Sequence, residues 1–435
     1  MGGEGGTPVP TGGAAVAASG GAAGSAGVAG GKGGKGGAAP LEGGAGGAAP
    51  FEGGASGSSG GEPQPLEPFV AVDCFPGFTM EEEGLSFDGR FAAVLEVGAG
   101  ALPTGLALLD RKSGLPFPIE TASTDLDPPA LSGDASRLLY GAGQGNQSRA
   151  FIWDRASEQV IADYLVGDKV GGALGFDGRF LGLITRDQAL TSPPPPVQGG
   201  AVLVDLKSRS ALLASITPNG TTSSDYSRFV DISDDGERVV FASPATDLAP
   251  GKTGHSWDVY LYTRSAKATT LVSRRPDGGF ANGYSYGPRI SGDGRFVVFQ
   301  SAASDIVEHD DIDTPDVLIV ELDTGITMSP TVQQPGADIP KNLSRDGRFV
   351  VFSSDGAHAP ADDNATYDAW VYDRLLDKLE VASVDRTGAP LTAGGSAVAI
   401  SGDGNVVAFL TTSPELVDDP SGPGILCFAA RSASE

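Results

Sequence analysis

Short apolar runs of four or five residues, separated by polar or glycine-rich breaks, recur from Phe69 towards the C-terminus. The run Phe296-Val297-Val298-Phe299 shows the unit. It follows Ile290-Ser291-Gly292-Asp293-Gly294-Arg295: a Leu or Ile, a small residue, one variable residue, then Asp-Gly. The same string returns as Leu85-Ser86-Phe87-Asp88-Gly89 and Leu343-Ser344-Arg345-Asp346-Gly347. The motif Asp falls at 88, 134, 177, 235, 293, 346 and 403. Seven copies at such intervals have the size of propeller blades with variable loops.

Each copy predicts a hairpin. Asp-Gly supplies the positive φ of a tight turn, and the Asp side chain can cap backbone N–H groups. The apolar run that follows suits a strand buried on both faces. A third strand is predicted after a polar loop, as in Asp258–Tyr262, Asp316–Val320 and Asp368–Tyr372, and a fourth after a short turn, as in Thr269–Ser273 and Lys378–Ser383. The expected fold is all-β, a seven-bladed β-propeller of four-stranded antiparallel blades spanning residues 68–432. The last repeat runs out after Gly424–Phe428, one strand short. Phe69–Cys74 belongs to no blade of its own, so it is expected to supply the outer strand of the seventh and close the ring. That places Cys74 and Cys427, the two cysteines of the chain, on adjacent strands and predicts a disulfide between them. The alternative is two unrelated buried thiols.

The repeats resemble those of TolB-type (WD-like, Ser-Pro-Asp-Gly) propellers of bacterial envelope proteins. The matching residues are the seven motif Asp, the Ser that precedes most of them, and Tyr372-Asp373-Arg374 at the end of a third strand. No copy has Pro before Asp, and the α/β domain that precedes the propeller in TolB has no counterpart here. The resemblance implies the propeller fold.

Composition adds a second material. Residues 1–63 are mostly Gly and Ala, with a ten-residue string at 36–45 repeated at 46–55 but for Phe51 in place of Leu41. Such a stretch cannot bury enough apolar surface to offset its ordering entropy, so a disordered tether is expected. It resembles the spacer that follows the lipidated cysteine of bacterial surface lipoproteins, although no signal peptide is visible at Met1. An exported protein, periplasmic or an outer-membrane or surface lipoprotein, is therefore expected, with a cytoplasmic protein as the runner-up. The formal charge of −26 argues against nucleic acid and anionic lipid as partners. Any membrane contact would come through the lipid anchor, and a monomer is expected.

No hydrolase elbow, Walker loop, H-E-x-x-H or C-x-x-C motif is present. Candidate chemistry lies in the loops between second and third strands, which in a propeller share one face. These loops hold all three histidines, His255, His309 and His358, and many acids. Asp310, Asp311, Asp313 and Asp316 in one loop, and Asp362, Asn364 and Asp368 in the next, offer the hard oxygen ligands that suit Ca²⁺. The competing reading is an acidic, solvated rim in which Asp258, Asp316 and Asp368 cap the starts of strands. Trp153, Trp257 and Trp370 are expected between blades. Arg90, Arg179, Arg295 and Arg348, each just after Asp-Gly, are expected to pair with carboxylates of adjacent turns. The function these observations favour is a non-catalytic binding or scaffold propeller that engages a protein, peptide or glycan through its acidic loop face. The alternative is a metal-dependent hydrolase or lactonase with its site in the central funnel.

Overall fold

The computed structural model describes residues 67–431, apart from 99–102, 122, 124, 144–147, 168–170, 311–313, 333–335, 359–363, 365 and 418–423; the tether expected at 1–63 lies outside the described residues. The regular elements are all strands, arranged as seven four-stranded antiparallel sheets. Each sheet is one blade, with its first strand at the axis and its fourth at the rim. The fifth blade, for example, comprises Ser285–Ile290, Phe296–Ser301, Asp316–Glu321 and Ile326–Met328, in that order.

Every motif Asp sits in the turn between first and second strands, and the turn builds itself the same way in the six blades that have Ser two residues before it. In the sixth, Asp346 Oδ1 accepts from Ser344 Oγ at 2.7 Å and from Arg348 N at 3.0 Å, while Ser344 Oγ accepts from Phe349 N at 3.0 Å. Ser and Asp thus satisfy the donors that a tight turn leaves over. At the second motif Ala135 stands where the others have Gly and takes the same left-handed conformation, φ 54°. The four arginines pair with the carboxylate that ends the third strand of their own blade. Arg90 meets Asp110, Arg179 meets Asp205 and Arg348 meets Asp373 at 2.7–2.8 Å, and Arg295 meets Glu321 at 3.3 Å. Each also lies over the ring or neighbour ring of the strand it precedes, as Arg348 does over Phe349 at 4.7 Å.

The core lies between blades. Second and third strands are buried along both faces, as in Phe349–Ser354 and Asp368–Asp373. Seven apolar clusters result, each drawn from two neighbouring blades. Trp370 and Trp153 are buried among them, whereas Trp257 is half-buried and packs edge-on against Tyr226 at 5.3 Å.

The ring closes through its first strand. Phe69–Pro76 pairs antiparallel with Ile425–Arg431 as the outer strand of the seventh blade. Cys74 faces Cys427 in that register, with Cα atoms 4.1 Å apart, and the two are joined by a disulfide. A second clasp lies at the other end of the pair. Arg431 is buried against the Phe69 ring, and its guanidinium meets Glu380 of the sixth blade at 3.0 Å. Two fourth strands are shorter than the sequence suggests, ending at Leu271 and Val381. Ser273 and Ser383, two residues further on, turn their hydroxyls to the N–H groups of Val259 and Ala369 and so leave the ladder.

Candidate functional site: an axial funnel on the loop face

At the turn face the axis is stitched shut. The variable residue before each motif Asp points to the axis, and neighbouring turns are joined by backbone bonds. Phe87 N donates to Gly133 O at 2.8 Å, Asp234 N to Gly292 O at 2.9 Å, Arg345 N to Gly402 O at 2.8 Å and Asp403 N to Phe87 O at 3.0 Å. A proline at 87 or 345 would have no N–H to give. Phe87 and Phe176 meet edge to face at 5.7 Å. The Arg345 guanidinium lies 4.7 Å from the centre of the Phe176 ring and is paired with Asp234. Glycine at 133, 292 and 402 makes room for these side chains; a Cβ at Gly133 would come within 2.5 Å of Phe176.

Half-way along the axis stands a charged layer. Asp231, Arg289 and Asn342 come from the first strands of three consecutive blades, and Glu82 and Glu83 from the segment before the first motif. Arg289 is paired with Glu82 and lies with its Nε 3.1 Å from Glu83 Oε1; Lys341 reaches Glu82 at 3.5 Å. Asn342 Nδ2 donates to Glu82 O at 2.8 Å. Asp231 accepts from Ile232 N at 2.7 Å and Ile290 N at 2.8 Å. Burial, reinforced by repulsion from Asp231, pushes the Glu83 carboxyl up to about 8 against the pull of Arg289. Burial likewise raises Asp231, to about 6, with Arg289 opposing.

Above this layer, towards the loop face, the axis opens into a cavity of about 670 Å³ with Glu83 and Arg289 in its floor. Its walls include Arg186, Gln198, Ser227, Arg228 and Phe229. Arg186 Nε donates to Gln198 O at 3.1 Å. Ser227 is buried, and its hydroxyl has no hydrogen-bond partner among the described residues. Arg228 is exposed, with its guanidinium 5.5 Å from the centre of the Tyr226 ring. Phe229 adopts φ +54°, a conformation that a bulky side chain rarely takes. The corresponding bulge of the fifth blade has Gly287, at φ +64°. The Phe229 ring is 42% exposed and faces Tyr286, which stacks on Tyr284.

The loops anticipated as chemical occupy this face, and their described side chains have different surroundings. His255 is exposed and lies 3.7 Å from Asp225. His309 is exposed, at φ 63°. The His358 ring is buried between Phe352 and Trp370, with Nε2 2.7 Å from Ser354 Oγ and 3.2 Å from Asp338. Asp310 and Asp316 approach each other, and burial with repulsion from Asp310 lifts Asp316 to about 7. Asp368 is held by Ser383 Oγ at 2.6 Å and by the Asn364 amide at 3.2 Å. Asp311, Asp313 and Asp362 lie outside the described residues. Among the described residues no three His, Cys, Asp or Glu side chains are grouped to hold a metal ion. Asp258 and Asp368 each accept from a Ser hydroxyl, and it is that hydroxyl, where the capping alternative expected the Asp itself, that accepts the N–H of the strand's second residue; Asp258 is further paired with the buried Lys252 at 2.9 Å.

The charged layer escaped sequence reasoning although a signal was there. The residue just before the motif Leu or Ile is small in four copies: Gly84, Ala130, Ala173 and Ala399. In three consecutive copies it is Asp231, Arg289 and Asn342. Phe229 had no such signal.

No protein-family model matches the chain, and neither does any curated protein sequence. Among solved structures, an oligogalacturonate lyase in complex with manganese aligns over 85% of this chain and 99% of its own, with a TM-score of 0.50 at 13% identity. TolB from Acinetobacter baumannii aligns over 84% of this chain and 80% of its own (TM-score 0.39, 15% identity). The β-propeller domain of the Trilobed protease from Pyrococcus furiosus aligns over 79% and 93% (TM-score 0.48, 11% identity). The chain's own seven four-stranded sheets define it as a seven-bladed β-propeller.

Proposed function

We propose that the protein is a non-catalytic binding propeller of the bacterial cell envelope, and that its ligand enters the axial funnel from the loop face. The observation that carries this reading is the polarity of the axis. One end is sealed by Phe87, Phe176 and Arg345. The other is open and lined by side chains, Arg228 and Phe229 foremost, that remain exposed although each touches one aromatic neighbour. The layer between them is largely self-satisfied, with Arg289 set against Glu82 and Glu83 and Asp231 bonded to two backbone N–H groups. Recessed pockets of this size with a few placed polar groups are the usual form of a ligand site. The disulfide supports an oxidising compartment, and with it export.

The alternative, a hydrolase or lactonase in the funnel, has one observation in its favour: Glu83, with its raised pKa, borders the cavity as a catalytic acid would. Binding of envelope-derived peptides and glycans, followed by calorimetry and by product analysis, separates the readings. The binding reading expects a complex that Phe229→Ala weakens and no product. Turnover that Glu83→Gln abolishes would replace it with the hydrolytic one.

A further inference from the structure

Arginines line the funnel of an acidic protein. The chain has a net charge of −26, yet the cavity wall holds Arg186 and Arg228 and its floor ends in Arg289. Arg289 is committed to Glu82 and Glu83. Arg228 is exposed and, among the described residues, enters no ion pair; its guanidinium rests over Tyr226. A guanidinium held on an aromatic face with its edge towards a cavity is suited to a carboxylate, which it can meet with two parallel N–H bonds.

Beside it lies an apolar shelf. Phe229 and Tyr286 have ring centroids 6.0 Å apart, and Tyr286 stacks on Tyr284 at 5.4 Å. Gly287 shows that the left-handed bulge forms without a side chain. The fourth blade instead places a phenyl ring there, against its backbone preference, and leaves it half in solvent. The chain's other left-handed non-glycine residues sit in tight turns, whereas Phe229 is a bulky residue strained within a strand bulge, which points to a role beyond the turn itself. The Ser227 hydroxyl, buried and without a partner, lines the same cavity and can bond a ligand hydroxyl.

An anion must reach this place past an acidic rim. Long-range repulsion penalises a ligand roughly in proportion to its charge, so one carboxylate per ring is favoured over phosphate clusters. We infer that the funnel binds a carboxylate-bearing saccharide, the sugar acid pairing with Arg228 while the C–H face of its ring lies on Phe229 and Tyr286. This rests on the funnel being the binding site.

The test uses an oligouronic acid trisaccharide, its neutral methyl ester and an acidic peptide of equal charge, titrated into the full chain by calorimetry and by tryptophan fluorescence. Trp257 is the reporter, since it packs against Tyr226 in the funnel wall. The acid should bind, and bind more tightly than its ester. The ester, Arg228→Ala and Phe229→Ala should each bind about tenfold or more weakly, the size expected for one charge-assisted pair or one stacked ring, and Phe229→Tyr should retain binding. Both residues are exposed, so unchanged melting temperatures should show that the variants fold. An ester that binds as well as the acid, or variants that bind as the parent does, would overturn the inference. If only the peptide binds and Phe229→Ala abolishes it, the saccharide falls while the funnel stands. If no probe is bound, both readings fail together.

Discussion

Phe229 and Gly287 occupy the same bulge in neighbouring blades with nearly the same φ, and only one of them needs help to stay there. A left-handed non-glycine residue costs on the order of 1–3 kcal/mol. Phe229→Gly should therefore leave stability unchanged or raised by up to about 1 kcal/mol, since relief of strain offsets the lost contact with Tyr286. Urea unfolding checks this, with Phe299→Ala as the contrast. Phe299 is wholly buried, and its truncation should cost about 3–5 kcal/mol. A large loss in Phe229→Gly would show that the ring is structural after all.

The unit of construction is the Ser–x–Asp–Gly turn, and its third copy is the informative one. Gly175 takes the place of Ser there, because a Cβ at that position would lie 2.8 Å from Asp234 O of the next blade. Asp177 then keeps its bond from Arg179 N at 2.9 Å but has no hydroxyl to accept from. Asp346 has both. Asp346→Ala leaves the O–H of a buried serine and a turn N–H without their acceptor, for an expected loss of about 1–3 kcal/mol; Asp177→Ala should cost about 0.5–1.5 kcal/mol. Parallel urea titrations of the two variants decide the order.

For the whole ring, closure and charge set the stability. The Cys74–Cys427 bond ties strands 353 residues apart in sequence. Cys427→Ser paired with Cys74→Ser should cost about 2–5 kcal/mol, towards the lower figure because Arg431, Phe69 and Glu380 still hold the strand. Denaturant unfolding with and without reductant measures it. Glu83 and Asp231 hold their protons more tightly in the folded state than the ordinary values of 4.5 and 3.8. The stability they contribute is complete below those values and is lost as pH rises through about 6 and then about 8. The slope has a ceiling of about 1.4 kcal/mol per pH unit for each proton. Asp110 and Asp154, lowered chiefly by a hydrogen bond from Arg90 and from Ser157 N respectively, act in the opposite sense and only in acid. Melting temperature should thus fall between pH 5 and 9, approximately. Glu83→Gln should flatten that fall and melt higher than the parent at the alkaline end.

The sequence by itself determined the blade count, the turns, the strand that closes the ring and the pairing of its two cysteines. All of these follow from local chemistry repeated seven times. Asp-Gly dictates a turn wherever it occurs, and a run such as Val350-Val351-Phe352 is a buried strand in any blade. What repetition could not show is where the copies differ to a purpose. Phe87, Phe176 and Arg345 look like free choices at a variable position until closure brings them to one axis. Asp231, Arg289 and Asn342 read as isolated polar residues, and Glu83 as one more surface acid. In the loops richest in His and Asp, His255, His358 and Asp368 each have a separate local partner among the described residues, which no loop sequence specifies. The funnel exists only because residues of four blades and Glu83 converge, and that convergence is a property of the closed ring that no single blade encodes.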